Sequence, residues 1–196
     1  MSNAISNEHE LPSAMHATEL PHGRMGMWWF LSSEVIIFGG LVVTYILCRM
    51  HHSEWAQEAA NTINMAGALN TMVLLTSSFV VVKAHEAAHK GDNAKAARLL
   101  FVTVGFGLIF LCVKAYEYHH EIVQGFVPTA NLFWGFYYLM TGLHGLHVVG
   151  GMVAMVIVAL GVQRGNDPVG VEYVGMYWHI VDIVWIFLFP LLYLAS

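Results

Sequence analysis

The chain has 196 residues; 57% are hydrophobic and only 11% are charged, with a mean hydropathy of +0.60. Soluble domains carry about 25% charged residues, so a water-soluble core is excluded and a membrane protein is indicated. The net charge of −5 and the 8 scattered Lys and Arg residues leave no basic patch, so nucleic acid is excluded as a partner.

The first 23 residues read as a polar tail carrying His9, His16 and His22. They have no basic start and no A-x-A site before the first apolar run, so no cleaved signal peptide is expected. Residues 24–196 follow as one membrane unit. A spanning helix needs about 20 apolar residues at about 1.5 Å rise each. Five runs meet this, at 26–48, 65–85, 98–118, 132–161 and 174–195. The connectors "RMHHSEWAQEAAN", "HEAAHKGDNAKAAR", "EIVQGFVPTAN" and "QRGNDPVGVE" hold the charges and the helix breakers. Pro128 and Asn131 mark the entry to the fourth run. The expected fold is all-α, a polytopic bundle of five transmembrane helices.

With the N-terminus inside, Arg24, Lys83, Lys90, Lys95, Arg98 and Arg164 fall on the cytoplasmic side, and only Arg49 and Lys114 fall outside. The positive-inside rule therefore predicts a cytoplasmic N-terminus and a periplasmic C-terminus. Trp28 and Trp29 stand near the start of the first span, where aromatic belts form. Together with Arg24 they are candidate lipid contacts. Cys48 and Cys112 lie in apolar runs and read as small buried hydrophobes.

Ionisable residues inside a span need a partner or a cavity. Span one holds Glu34. Span three ends in "KAYEYHHE", with Lys114, Glu117 and Glu121. Span four holds "TGLHGLHVVGG", with His144 and His147, and span five holds "YWHIVDIVW", with His179 and Asp182. His144 and His147, His179 and Asp182, and Lys114 and Glu117 are each i,i+3 pairs on one helix face. The Lys114–Glu117 group is expected near the outer surface, as an ion pair at a span end. Glu34 and Asp182 are expected at one level, about 12–13 Å from the inner side, and His147 about 21 Å from it by helical rise. A Glu34–histidine hydrogen bond stays open, as does one to Ser33. Gly142, Gly145, Gly150 and Gly151 would let another helix approach closely, and Asn70, Ser77 and Ser78 are candidate interhelical hydrogen bonders.

Histidines on facing helices can ligate haem or copper, and Glu86-x-x-His89 and Glu117-x-x-His120 match the di-iron pattern. The drawn spans put these two motifs at opposite ends of a core about 30 Å thick, and they put His144 and His179 at different depths. No metal is therefore expected in this chain.

Taken together, "RMGMWWFLSSEVIIFGG", "LNTMVLLTSS", "KAYEY", "TGLHGLHVVGG" and "YWHIVDIVWIFLFPLLY" resemble subunit III of the haem–copper respiratory oxidases, in the family's order and over residues 24–195. The resemblance implies a non-catalytic core subunit of a cytochrome c oxidase in the bacterial cytoplasmic membrane. It implies packing on subunit I, with subunit II and other respiratory subunits nearby. Haem and copper would sit in the partner subunits, and bound phospholipid is expected here. It places Glu34 at the family's buried carboxylate, His144 and His147 at its paired histidines, Asp182 at its last-helix aspartate and Glu117 at its third-span glutamate. The form is the short one, with five helices. Quinol oxidase and nitric oxide reductase accessory subunits of the same family are alternatives. A freestanding proton channel, relaying through Glu34, the histidines and Asp182, is the rival from another class.

Overall fold

A computed structural model describes residues 22–51, 55–165 and 167–194. Most of the polar tail, residues 1–21, lies outside the described residues. In hydrocarbon every backbone N–H and C=O must find its partner within the chain, and a helix does this within one segment. The five apolar runs accordingly become α1 (His22–His51), α3 (Asn64–His89), α4 (Asn93–Val123), α5 (Leu132–Gln163) and α6 (Val169–Phe189). α6 continues into a π-helical turn, Pro190–Leu194. The short helix α2 (Trp55–Ala59) lies between α1 and α3. Five segments are long and apolar enough to cross a membrane, the last counted through Leu194.

Most helices overrun their predicted spans. α1 begins at His22, not residue 26, and α4 ends at Val123, not residue 118. Hydropathy marks where the apolar run stops, but helical hydrogen bonding continues into the polar interface. The ends are set by local chemistry. The Asp92 carboxylate accepts the Lys95 N–H, and the Asn131 side chain accepts the Trp134 N–H, as N-caps do. Gly91 and Gly125 follow the last turns of α3 and α4 with φ of 76° and 89°, a region that costs any residue with a Cβ. Pro190 has no N–H to give, and the ladder widens to the π form there.

α3 and α4 form an antiparallel hairpin with the most extensive interface. α5 packs on α4, and α6 packs on α5 and α3. α1 leans chiefly on α6, with a smaller contact on α5. The interior is aromatic, with Trp134, Trp178, Trp185, Tyr45, Tyr137, Tyr193, Phe110 and Phe133 fully buried. α2 closes the end of the bundle where α1 finishes. Trp55 is buried against Tyr45, Phe133 and Phe136, and Glu58 accepts the indole N–H of Trp134 at 2.9 Å. Outward faces are apolar, as a lipid-facing surface requires; Trp28 and Trp29 are 60% and 75% exposed on α1.

Candidate functional site

Every polar residue singled out in the spans turns inward except where a helix end lets it reach water. They gather at three places.

The first lies between α1, α5 and α6. Glu34 is buried, and its Oε2 lies 2.8 Å from His147 Nε2, although the N–H direction is poorly aligned for a hydrogen bond. The other ring nitrogen, Nδ1, is 2.8 Å from the Leu143 carbonyl. The Tyr177 hydroxyl donates to the His147 carbonyl at 2.9 Å, and Phe38 packs edge-on to the His147 ring. Ser33 is not a partner of Glu34; its hydroxyl donates to the Phe30 carbonyl. The expected separation of about two turns is thus corrected to direct contact. α1 starts a turn earlier than the apolar run, which sets Glu34 deeper. The remaining difference is one of height between the start of α1 and the end of α5. His144, one turn from His147, is completely buried between Phe110 and Trp185, with ring centroids 5.5 and 5.2 Å away. Neither of its nitrogens has a hydrogen-bond partner.

The second place is the α3–α6 seam. The indole N–H of Trp178 donates to Ser77 at 2.8 Å, that of Trp185 donates to Thr71 at 3.0 Å, and Ser78 Oγ lies 2.7 Å from His179 Nδ1. Asp182 is buried, and neither of its carboxylate oxygens has a well-formed hydrogen bond. Small hydroxyl residues let the two helices approach and give the indoles acceptors. Of the four span-four glycines, Gly151 makes the close contact: a Cβ there would meet ring atoms of Trp178 and Tyr177 at 2.9 Å.

The third place corrects an expectation. The expected Lys114–Glu117 ion pair forms, but with Glu121 it is buried in the bundle, at 5%, 0% and 1% exposure for Lys114, Glu117 and Glu121. The added turns of α4 keep this stretch inside the bundle, under α5 and the π-helical turn. Lys114 Nζ donates to Glu117 Oε2 at 3.0 Å, to the Tyr137 hydroxyl at 3.0 Å and to the Tyr193 hydroxyl at 2.7 Å. All three ammonium protons are used. The Tyr137 hydroxyl donates in turn to Glu117 Oε1 at 2.8 Å. The rings of Tyr118, Tyr137, Tyr193 and Trp185 surround the ammonium at 4.8 to 5.7 Å, within cation–π reach. Glu121 makes no well-formed hydrogen bond. Tyr137 and Tyr193 were not expected as site residues. The signal was present, because a buried tyrosine in a span needs a polar partner for its hydroxyl.

At the end of the bundle where α1 begins, Arg24 pairs with Glu172 and so ties the start of α1 to α6. Among the described residues, no group of three or more His, Cys, Asp or Glu is placed to hold a metal ion. The arrangement holds charge and helix register inside the bundle.

A family model described as cytochrome c oxidase subunit III matches residues 3–196. Cytochrome c oxidase subunit 3 of Thermostichus vulcanus is 34% identical over 202 residues, covering 100% of this chain and 99% of the relative. Its counterpart in a Synechocystis species is 36% identical over 178 residues, covering 86% of this chain and 74% of the relative. Cytochrome bo(3) ubiquinol oxidase subunit 3 of Pseudomonas aeruginosa is 29% identical over 208 residues, covering 100% of this chain and 99% of the relative.

Proposed function

The chain belongs to the cytochrome c oxidase subunit III family, and on that premise we propose that it is the non-catalytic subunit III of a proton-pumping terminal oxidase in a bacterial cytoplasmic membrane. The observation that carries this is the family match over residues 3–196, and the interior of the bundle supports it. Several of its buried polar groups tie one helix to another, as Lys114 ties α4 to Tyr137 and Tyr193, which suits a supporting subunit. In this reading the chain packs on subunit I beside subunit II and holds no redox centre of its own. Haem and copper reside in the partners. The N-terminus is cytoplasmic and the C-terminus periplasmic, by the bias of positive charge. Its contribution is to steady subunit I, support proton uptake and hold phospholipid that eases oxygen access. Exposed Trp28 and Trp29 on α1 are the proposed lipid contacts. Arg24 stands beside them but is engaged with Glu172, so a headgroup there would meet an ion pair.

The test is purification from the native membrane in mild detergent. Haem absorbance and copper should travel with the chain and be lost when it is dissociated. A preparation that stays pure, single-subunit and colourless would sink the proposal. The full-length match to a ubiquinol oxidase subunit favours a second reading, in which the donor is a quinol. Turnover of the purified complex with reduced cytochrome c, against turnover with ubiquinol, separates the two.

A further inference from the structure

Between α1, α5 and α6 lies a cavity of about 10 Å³, bounded by Glu34, His144, His147 and Tyr177 and walled by Phe38 and Ile180. That is close to the smallest space that holds a water molecule, and such a site also needs two or more polar partners. They are present. Glu34 Oε2 and both nitrogens of His144 are buried without a well-aligned hydrogen bond. His147 has committed Nδ1 to the Leu143 carbonyl, so Nε2 is the nitrogen beside Glu34. His144 is completely buried, and an imidazole with neither nitrogen engaged forfeits two hydrogen bonds that it would make in water. Size alone does not place a water here; the buried, unpartnered polar atoms beside the cavity do. A much larger groove on the same α1–α6 seam, 420 Å³ along Val35, Gly39, Ile183 and Phe187, presents almost only carbon. Apolar cavities stay dry.

We propose that one water molecule occupies this cavity and bridges Glu34, His147 and His144 into a single hydrogen-bonded unit. The water donates to the Glu34 carboxyl and to the unprotonated nitrogen of His144, and it lies beside His147 Nε2. The bridge gives His144 the partner that no side chain supplies. It also makes the α1–α5 contact a three-residue junction.

Two measurements on the intact, detergent-solubilised assembly test this. A high-resolution map should show an ordered density within hydrogen-bonding distance of Glu34, His144 and His147. Infrared spectra in ordinary water and in water labelled with heavy oxygen should show an isotope-sensitive O–H band. That band should be lost in His144→Phe and in Glu34→Leu, and retained in Asp182→Asn, whose carboxylate lies outside the cavity lining. An empty cavity in a map that resolves other interior waters overturns the proposal. So does an isotope-sensitive spectrum that is the same in the wild type and in both cavity variants. If a variant does not accumulate, the wild-type map decides alone. Neither measurement reads haem or turnover, so this proposal and the oxidase reading fail separately.

Discussion

Glu34 Oε2 on α1 and His147 Nε2 on α5 lie 2.8 Å apart in the interior of the bundle. The Leu143 carbonyl can only accept, so His147 Nδ1 carries its hydrogen there. Nε2 is then the nitrogen that faces the Glu34 carboxyl. A carboxyl group inside a span needs such a polar partner.

Glu34→Gln should therefore be mild. The amide can donate to Nε2 and keep a hydrogen on the line between the helices. Assembly and most initial turnover should survive, and the ratio of protons pumped to electrons transferred should stay near that of the wild type. A ratio near zero in this variant would overturn the structural role and make Glu34 a carrier of pumped protons.

Lys114→Met should be severe. It leaves Glu117 as a buried carboxylate whose charge is no longer matched, and breaking one side of a buried pair costs about 3–5 kcal/mol. The double change Lys114→Met with Glu117→Gln should recover a large part of that loss, because no charge is then stranded. Thermal unfolding of the purified assembly, followed by the release of this chain, reads both. A single variant as stable as the wild type refutes the pairing.

Glu121→Gln and Glu117→Gln should differ. Glu117 accepts from Lys114 and Tyr137 at once, and its loss removes the countercharge. Glu121 makes no well-formed hydrogen bond and is in excess of the one ammonium. Its replacement by a neutral amide should change stability by no more than about 1 kcal/mol. Equal losses in the two variants would show that Glu121 shares the ionic role.

Gly151→Ala and Gly145→Ala form a second contrast. An added methyl at 151 meets the Trp178 and Tyr177 rings at 2.9 Å, whereas at 145 the nearest atom is 4.0 Å away. Overpacking should cost the first about 1–3 kcal/mol. The second should be neutral or gain up to about 1 kcal/mol from helix propensity. The difference in thermal midpoint between the two variants is the measurement.

The five helices were legible because lipid leaves the backbone no alternative and because apolar runs of that length are unambiguous. Their ends were less so. At α1 and α4 the polar residues just beyond the apolar run still make helical hydrogen bonds, and hydropathy does not register them. That error carried into the depths. It put Lys114 and Glu117 near the surface and drew Glu34 about two turns from His147, although a Glu34–histidine contact stayed open. Face-sharing on one helix was legible where the two side chains meet, as in the i,i+3 ion pair of Lys114 and Glu117. Pairing between helices was not readable, because spacing within one helix says nothing about the height of its neighbour. α2 passed unnoticed because its five residues carry no long pattern. Tyr137 and Tyr193 were hidden by looking like ordinary members of apolar runs.

The Lys114 cluster also has a timetable. One of its hydroxyl partners belongs to Tyr193, 79 residues further along the chain. A ribosome delivers α4, with its lysine and two glutamates, long before it delivers that hydroxyl. Throughout the interval the growing chain presents a half-dressed ammonium to the insertion machinery. The last turn of the bundle is thus the stitch that closes the seam, and a chain broken off before Tyr193 would carry its own mark of incompleteness into the membrane.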